Sequence, residues 1–312
     1  MDPQRVKLAE YIEELVEGNE PLDHSSHLLL SGLPADDVEQ LSAAWAAVPV
    51  PRKLDLLGIL ADLAEDNVEL DFSDVFRMCM NDGDAAVRDS AVRGLWESED
   101  RTLIRPLIRL LARDPAPEVR AAGALALRRF AENAQEGKLI ERDGQRVRRA
   151  LMNAIARHGE QTQVTRRAIE AASYFEGSDI DEVIEIALGD DNPLMRQSAI
   201  FAMGNSIHLE WLPRLIDALR ADEPAIRYEA AGAVGRLGGI SLVPHLVPLL
   251  KDEDTLVQQA AATALGQLGG QLARQELVKC LETDDVVLEQ AARAALAVVD
   301  FEEDPLGVRF GG

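Results

Sequence analysis

Aromatic residues and cysteine are scarce in this sequence. Phe, Trp and Tyr make up 4% of the 312 residues, and cysteine occurs only at Cys79 and Cys280. A core with few aromatic rings relies on Ala and Leu, which favours closely packed helices over a β-sheet. Two cysteines so far apart in the sequence do not form a disulfide framework. Each is therefore predicted to be a small hydrophobic core residue.

Positive charge is also scarce, since 32 Lys and Arg residues face 55 Asp and Glu residues, for a net charge of −23. An acidic surface repels phosphate backbones and anionic lipids, which disfavours nucleic acid and membranes as partners. No apolar run reaches the length of a membrane span, and the first residues, MDPQRVKLAEYIEEL, lack the apolar core of a signal peptide. We therefore expect no transmembrane helix and a cytoplasmic location.

Residues that commonly carry chemistry are few and poorly grouped. His24 and His27 could share a helical face with Asp23, but no further metal ligand is indicated, and no histidine precedes a glutamate. No Ser or Cys falls in a recognised nucleophile motif. The glycine groups at 235–239 and 266–270 follow helical stretches, which favours helix caps over a phosphate-binding loop. We predict no catalytic residue, no cofactor and no metal site.

A repeated pattern organises the chain. Three copies begin at Leu194 (LMRQSAIFAMGNSIH), Ala225 (AIRYEAAGAVGRLGG) and Leu256 (LVQQAAATALGQLGG), and their third residue, the marker position, recurs at an interval of 31 residues. A fixed period of this length is typical of a solenoid, in which each unit needs its neighbours to bury its apolar face. Along the whole chain the marker position falls on Arg88, Arg120, Arg166, Arg196, Arg227, Gln258 and Glu289.

The repeat also divides the chain into segments. Only the interval from Arg120 to Arg166 departs strongly from the period, because it spans 46 residues. The additional residues, near 134–146, are predicted to form a polar loop or a helix extension. We predict an N-terminal capping helix and turn-rich segment at 1–34, a repeat array at 35–299 that begins with a diverged helical pair, and a disordered acidic C-terminal tail at 300–312.

This pattern resembles the HEAT-repeat family, and especially the bacterial HEAT-like repeats of the bilin-lyase type. The resemblance implies an all-α fold, a right-handed α-solenoid of about 7–8 helical pairs. An acidic residue precedes several marker arginines by six positions, as at Asp82, Asp114, Glu160 and Asp190. In HEAT repeats such an acid lies at the turn between the outer and inner helices and pairs with the arginine that begins the inner helix. The resemblance thus implies a structural ladder of ion pairs.

The candidate site lies on the inner helices. In a HEAT array, positions +1, +5, +8 and +9 from the marker line the concave surface. Trp, Tyr and Arg, which dominate binding hot spots, are frequent at these positions. We predict a partner-binding surface, arranged as one continuous stripe, that includes Arg93, Trp96, Arg128, Tyr174, Phe201, Asn205, Tyr228 and Arg236. The alternative is that some of these side chains complete the core.

The sequence therefore favours a scaffold or adaptor that binds a protein or peptide on its concave face. Two alternatives stay open. The resemblance to bilin lyases implies a role in chromophore attachment, and other HEAT-like proteins bind nucleic acid. Nucleic-acid binding would require a basic groove, for which the candidate residues are Arg129, Arg146, Arg148, Arg149, Arg166 and Arg167.

Overall fold

The computed structural model describes residues 3–18, 24–157, 161–206, 208–283 and 285–303. Within these ranges every regular element is helical, and no helix is long and apolar enough to cross a bilayer. The α-helices are α1 (Pro3–Glu17), α2 (Ala35–Trp45), α3 (Val50–Asp66), α4 (Ser73–Cys79), α5 (Ala85–Arg93), α6 (Ile104–Arg113), α7 (Pro117–Gln135), α8 (Glu141–Ile155), α9 (Thr162–Ala172), α10 (Ser178–Leu188), α11 (Pro193–Asn205), α12 (Leu212–Ala218), α13 (Pro224–Leu237), α14 (Val243–Leu246), α15 (Thr255–Leu268), α16 (Gly270–Cys280) and α17 (Val286–Glu303).

From α2 onward the helices alternate between an outer and an inner position, as the sequence predicts. Inner helices contact one another in series: α3 contacts α5 and α5 contacts α7, and α11, α13, α15 and α17 do the same. The chain divides into two compact units, residues 1–171 and 172–312. Helices α1 to α9 form the first unit and α10 to α17 the second. The predicted all-α solenoid of stacked helical pairs is confirmed, with four pairs in each unit.

The N-terminal helix is attached to the segment that follows it by a buried polar contact. The Tyr11 hydroxyl lies 2.9 Å from Nδ1 of His27, and both side chains are buried. Burial raises the pKa of Tyr11 above its ordinary value. His27 belongs to a 3₁₀ helix, His24–Leu30, within the segment that the sequence predicts to be turn-rich. His27 therefore has a structural role. Asp23, which could share a face with the two histidines, lies outside the described residues.

Inner helices of the second unit approach one another closely at glycines. A Cβ added to Gly204 would lie 2.6 Å from Cα of Ala233, and one added to Gly266 would lie 2.9 Å from Cα of Ala295. Gly235 meets Ala264 of the next helix in the same way, so it is not a cap. The predicted helix ends are instead formed by later glycines, such as Gly238, whose φ of 76° only glycine adopts readily.

Three of the marker arginines connect neighbouring repeats. Nε and Nη2 of Arg88 donate to the Asp114 carboxylate at 2.8 Å, and those of Arg227 donate to Asp252 at 2.7 and 2.8 Å. In the second unit Arg196 reaches Glu223 at 2.8 Å. In each case the acid belongs to the following repeat, about 25 residues later in the chain. Each pair therefore joins two successive helical pairs.

The acid six residues before each arginine has a different role from the predicted one. Arg88 donates to the main-chain carbonyl of Asp82 at 2.9 Å, and Arg196 donates to that of Asp190 at 3.0 Å. The expected side-chain pairing within one repeat is therefore wrong. The carboxylates instead accept N–H bonds within their own turns, as Asp252 does from Asp254 at 2.9 Å. Glu160, the expected partner of Arg166, lies outside the described residues.

At the two ends of the ladder, other residues stand in place of arginine. At its N-terminal end, Lys53 Nζ and Trp45 Nε1 each donate to Oδ2 of Asp82 at 2.7 Å, so a Lys and an indole replace the guanidinium. Burial raises the pKa of Asp82, but the bonds from Lys53, Asp84 N–H and Trp45 lower it further, so that its net pKa is below the ordinary value. At the other end, Gln258 keeps only the main-chain bond, donating to the Asp252 carbonyl at 2.6 Å.

The structure describes two segments whose form the sequence leaves open or predicts differently. Residues 134–146 comprise the end of α7, a turn at 136–140 and the start of α8, so most of the additional residues are helical. Helix α17 continues to Glu303, into the segment predicted to be a disordered tail. Val299 is buried and Asp300 forms an ion pair with Arg274 of α16, which extends the helix beyond the repeat pattern. Residues 304–312 lie outside the described part of the chain.

Replacing Arg227 by alanine should lower the free energy of unfolding by about 2–3 kcal/mol, because Asp252 and two turn carbonyls lose their donor in a largely buried place. The side chains of Arg227 and Asp252 are both 10% exposed. Arg196→Ala is the matched control, since its partner Glu223 is 49% exposed. Chemical denaturation followed by circular dichroism measures both losses. An equal or larger loss in Arg196→Ala would contradict the dependence on burial.

The same pair predicts a pH dependence of stability. The Arg227 guanidinium lowers the pKa of Asp252, with burial acting in the opposite direction. Because the folded-state pKa lies below the unfolded value of about 3.9, the pair stabilises the fold fully above that value and is lost as pH falls through the folded pKa. The stability difference between the native chain and Asp252→Asn should therefore shrink between neutral pH and pH below about 4. A constant difference would contradict this assignment.

Candidate functional site

A groove of about 850 Å³ opens in the first unit beside the inner helices α3, α5 and α7. Buried Leu57, Phe72 and Phe76 contribute apolar surface to it. The loop between α3 and α4 adds Val68, whose side chain is 94% exposed. A volume of this size lies within the usual range of ligand pockets, about 300–1,000 Å³. The groove therefore offers an apolar floor that another molecule could cover.

Trp96 lies at this groove and is exposed. It follows the end of α5, where its main-chain N–H donates to the Arg93 carbonyl at 3.1 Å. Trp96 is 50% exposed, whereas Trp45 and Trp211 are buried. The core therefore does not enclose the Trp96 ring. A large, half-exposed aromatic side chain in a concave site is a common anchor for protein partners.

Arginines and carboxylates surround the apolar floor. Arg93, Arg128 and Arg129 all line the groove, so the structure brings together three of the predicted inner-helix residues, Arg93, Trp96 and Arg128. Arg93 pairs with Asp89 at 2.8 Å, and Arg129 contacts Glu99 at 2.5 Å and Glu132 at 3.1 Å.

The hydrogen bond with Glu132 raises the pKa of Arg129, although desolvation lowers it, so the guanidinium stays charged. Its ion pairs are partly exposed, with side-chain exposures of 36% for Arg129 and 51% for Glu99. Exposed pairs of this kind contribute little to stability. Their exchange for a partner's charged groups therefore costs the protein little.

Three further predicted residues lie on α11 and α13 of the second unit. The Arg236 guanidinium carbon lies 5.0 Å from the centroid of the Phe201 ring, a cation–π contact between α13 and α11. Gly204 makes room for this contact, because an added Cβ would lie 2.9 Å from Arg236 Nη2. Tyr228 of α13 is 42% exposed. Arg236 and Tyr228 are thus exposed on the second unit, whereas Phe201 is half-buried.

Two predicted site residues are less accessible. Asn205 is 6% exposed, because the end of α11 packs against α13, and it does not belong to the exposed surface. Tyr174, which follows α9, is half-buried. Three of the eight predicted residues therefore lie at the groove of the first unit, two are exposed on the second, Phe201 and Tyr174 are half-buried, and Asn205 is buried. That all of them follow one continuous stripe stays a prediction.

The arginines considered for nucleic-acid binding do not form one free basic groove. Arg129 is paired at the groove, Arg146 contacts Asp143 at 3.0 Å, and Arg167 contacts Glu170 at 2.6 Å. Arg166 is buried, with Glu170 at 3.8 Å. Among the described residues, no group of three or more His, Cys, Asp or Glu side chains is arranged to hold a metal ion.

A family model for HEAT repeats matches residues 74–173, 180–249 and 240–297. No curated protein matches the sequence. The chain is therefore related to known proteins through its repeats and its fold, and the family match covers most of the array.

Solved structures share this fold at low sequence identity. The complex of CpcE and CpcF of phycocyanin lyase from Nostoc sp. PCC7120 has a TM-score of 0.55 and 15% identity, over 96% of that chain and 91% of this one. Yeast importin-β (Kap95p) has a TM-score of 0.56 and 14% identity. The match includes 96% of this chain and 47% of the importin chain. Kap95p bound to RanGDP has a TM-score of 0.51 and 16% identity, and 97% of this chain covers 46% of it. Identities this low establish the fold alone.

Proposed function

The chain belongs to the HEAT-repeat family, and we propose that it is a scaffold or adaptor that binds a protein or peptide partner on its inner-helix surface. The groove of the first unit carries this proposal, because it combines an apolar floor with the half-exposed Trp96. Structural neighbours support a binding role in general, since Kap95p binds RanGDP and CpcE forms a complex with CpcF.

The lining of the groove indicates the chemistry of the partner. Phe72 and Phe76 at the floor favour an apolar side chain, and Trp96 offers a stacking surface at the edge. The charged side chains of the rim are Arg93, Arg128, Arg129, Glu65, Asp71, Glu97 and Glu132. A partner segment with an apolar anchor flanked by charges of both signs would complement these groups, with arginine pairing bidentately to its carboxylates.

Trp96→Ala should weaken the binding of such a partner by about 2 kcal/mol or more, which is about 30-fold in affinity, because it removes the exposed anchor. Peptides selected from a displayed library against the whole chain provide ligands, and calorimetry measures their affinity. Phe301→Ala is the matched control, since Phe301 is an aromatic residue of α17 that is 66% exposed and outside the groove.

Both variants should unfold at the same denaturant concentration as the native chain, because the core encloses neither side chain. Selected peptides that bind both variants as tightly as the native chain would contradict the groove as the binding site. Loss of folding in Trp96→Ala would instead assign this side chain to the core.

A second candidate function is the handling of a small chromophore, as in the phycocyanin lyase whose subunits share this fold. The observation that favours it is the groove volume of about 850 Å³, which would accommodate an extended tetrapyrrole. Arg93 and Arg128 could then bind the propionate groups of the chromophore.

Co-expression with a bilin distinguishes the two candidates. A protein-binding scaffold should purify without colour, because nothing in that role requires a chromophore. Chromophore handling should give a protein with visible absorbance that Trp96→Ala and Arg128→Gln reduce. A coloured native protein whose absorbance is unchanged in both variants would place the chromophore outside the groove.

A further inference from the structure

The acidity of the chain is interrupted by one basic segment. Residues 101–157 contain 13 Lys and Arg against six Asp and Glu, although the whole chain carries a net charge of −23. Residues 1–100 contain seven basic against 23 acidic residues, so the basic segment follows a strongly acidic one. The basic segment comprises α6, α7 and α8 with their turns. Its charge is therefore concentrated in adjacent helical pairs of the first unit.

Most of this charge lies on two outer helices that pack against each other. Helix α6, with the 3₁₀ turn before it, carries arginines four residues apart, and α8 carries arginines at i, i+4 and i+7. Such spacing places the side chains of each helix on one face. We call this surface the outer arginine patch, and it consists of Arg101, Arg105, Arg109, Arg142, Arg146 and Arg149.

The patch is distinct from the groove and is accessible. Arg105, Arg109 and Arg149 are exposed, and none of them lines the groove. The Arg142 side chain is 74% exposed and that of Arg101 is 47% exposed. Helix α6 contains no acidic residue at all. Neither the core nor the groove therefore accounts for this concentration of guanidinium groups.

One carboxylate already occupies the patch and indicates what it can bind. Asp143 is buried and forms ion pairs with Arg101 at 2.6 Å, Arg146 at 3.0 Å and Arg142 at 3.7 Å. Within the part of the chain that the structure describes, Arg105 and Arg149 form no ion pair. Arg109 donates only to the neutral side chain of Asn81, at 2.8 Å. These three guanidinium groups keep most of their capacity for an external anion.

We propose that the outer arginine patch is a second interaction surface, which binds a short acidic segment of a partner protein. Helix α6 is ten residues long, or about 15 Å, which matches a single turn-rich or extended acidic segment of a few residues. A long polyanion such as a nucleic acid would extend beyond the patch onto the acidic remainder of the chain. Arginine pairs bidentately with carboxylates, which provides orientation as well as charge.

A fluorescent oligoglutamate peptide tests this proposal with the full chain. Fluorescence anisotropy should detect binding at low salt that weakens as salt is added. Arg105→Gln, Arg109→Gln and Arg149→Gln combined should reduce the affinity about tenfold, because three exposed charges are lost from one surface. The matched control removes three exposed arginines that lie outside the patch and the groove, Arg214→Gln, Arg220→Gln and Arg293→Gln, and should leave the affinity within about twofold.

Three outcomes would overturn the proposal. The first is equal weakening in the patch variant and the control, which would mean attraction to overall charge alone. The second is tighter binding of an oligothymidylate than of a peptide of equal charge, which would assign the patch to nucleic acid. The third is no binding of either probe by the native chain. Circular dichroism verifies that both triple variants stay folded, as expected for exposed side chains.

Discussion

The bonds between successive turns are the interaction on which the stacking of the repeats depends. A turn aspartate such as Asp114 organises its own turn and also accepts the arginine of the preceding repeat, so a single carboxylate determines both local geometry and register. Hydrophobic contacts between alanine-rich helices are not directional. The guanidinium fork supplies direction, and the glycine contacts at Gly204 and Gly266 limit the distance between inner helices. Each helical pair is thereby held in one position relative to its neighbour.

This arrangement also determines where function can reside. The ladder and the glycine contacts occupy the turns and the sides of the inner helices, and the remaining faces are free to vary. In the first unit one such face forms the groove beside Trp96, and the outer face carries the arginine patch on α6 and α8. The two surfaces differ in chemistry, because one is apolar with paired charges and the other is basic, with several exposed guanidinium groups around one buried carboxylate. The chain therefore has room for two partners with different requirements.

Much of this structure follows from local spacing in the sequence. The period locates the inner helices, and the helical positions of Trp96 and Tyr228 predict their exposure, because both depend on residues within a few turns. The partner of Arg227 is not local: Asp252 lies 25 residues later, and the acid six residues before an arginine is a misleading candidate. The apolar floor of the groove does not follow from local spacing either, since it requires Phe72 and the loop before it to meet α5 and α7. The burial of Asn205 likewise depends on a neighbouring helix.

The shared aspartate has a consequence for how such a chain can change in evolution. At Arg88, Arg196 and Arg227, one helical pair donates an arginine forward and the next offers a carboxylate backward, so these three joints are built in the same way. Duplication or deletion of one whole period, as between Arg196 and Arg227, would again place an arginine beside an acid of the following turn. A gain or loss of any other length would break that match. Recombination between copies therefore preserves the contacts when it adds or removes whole repeats. The number of repeats can vary while the bonds between them stay the same.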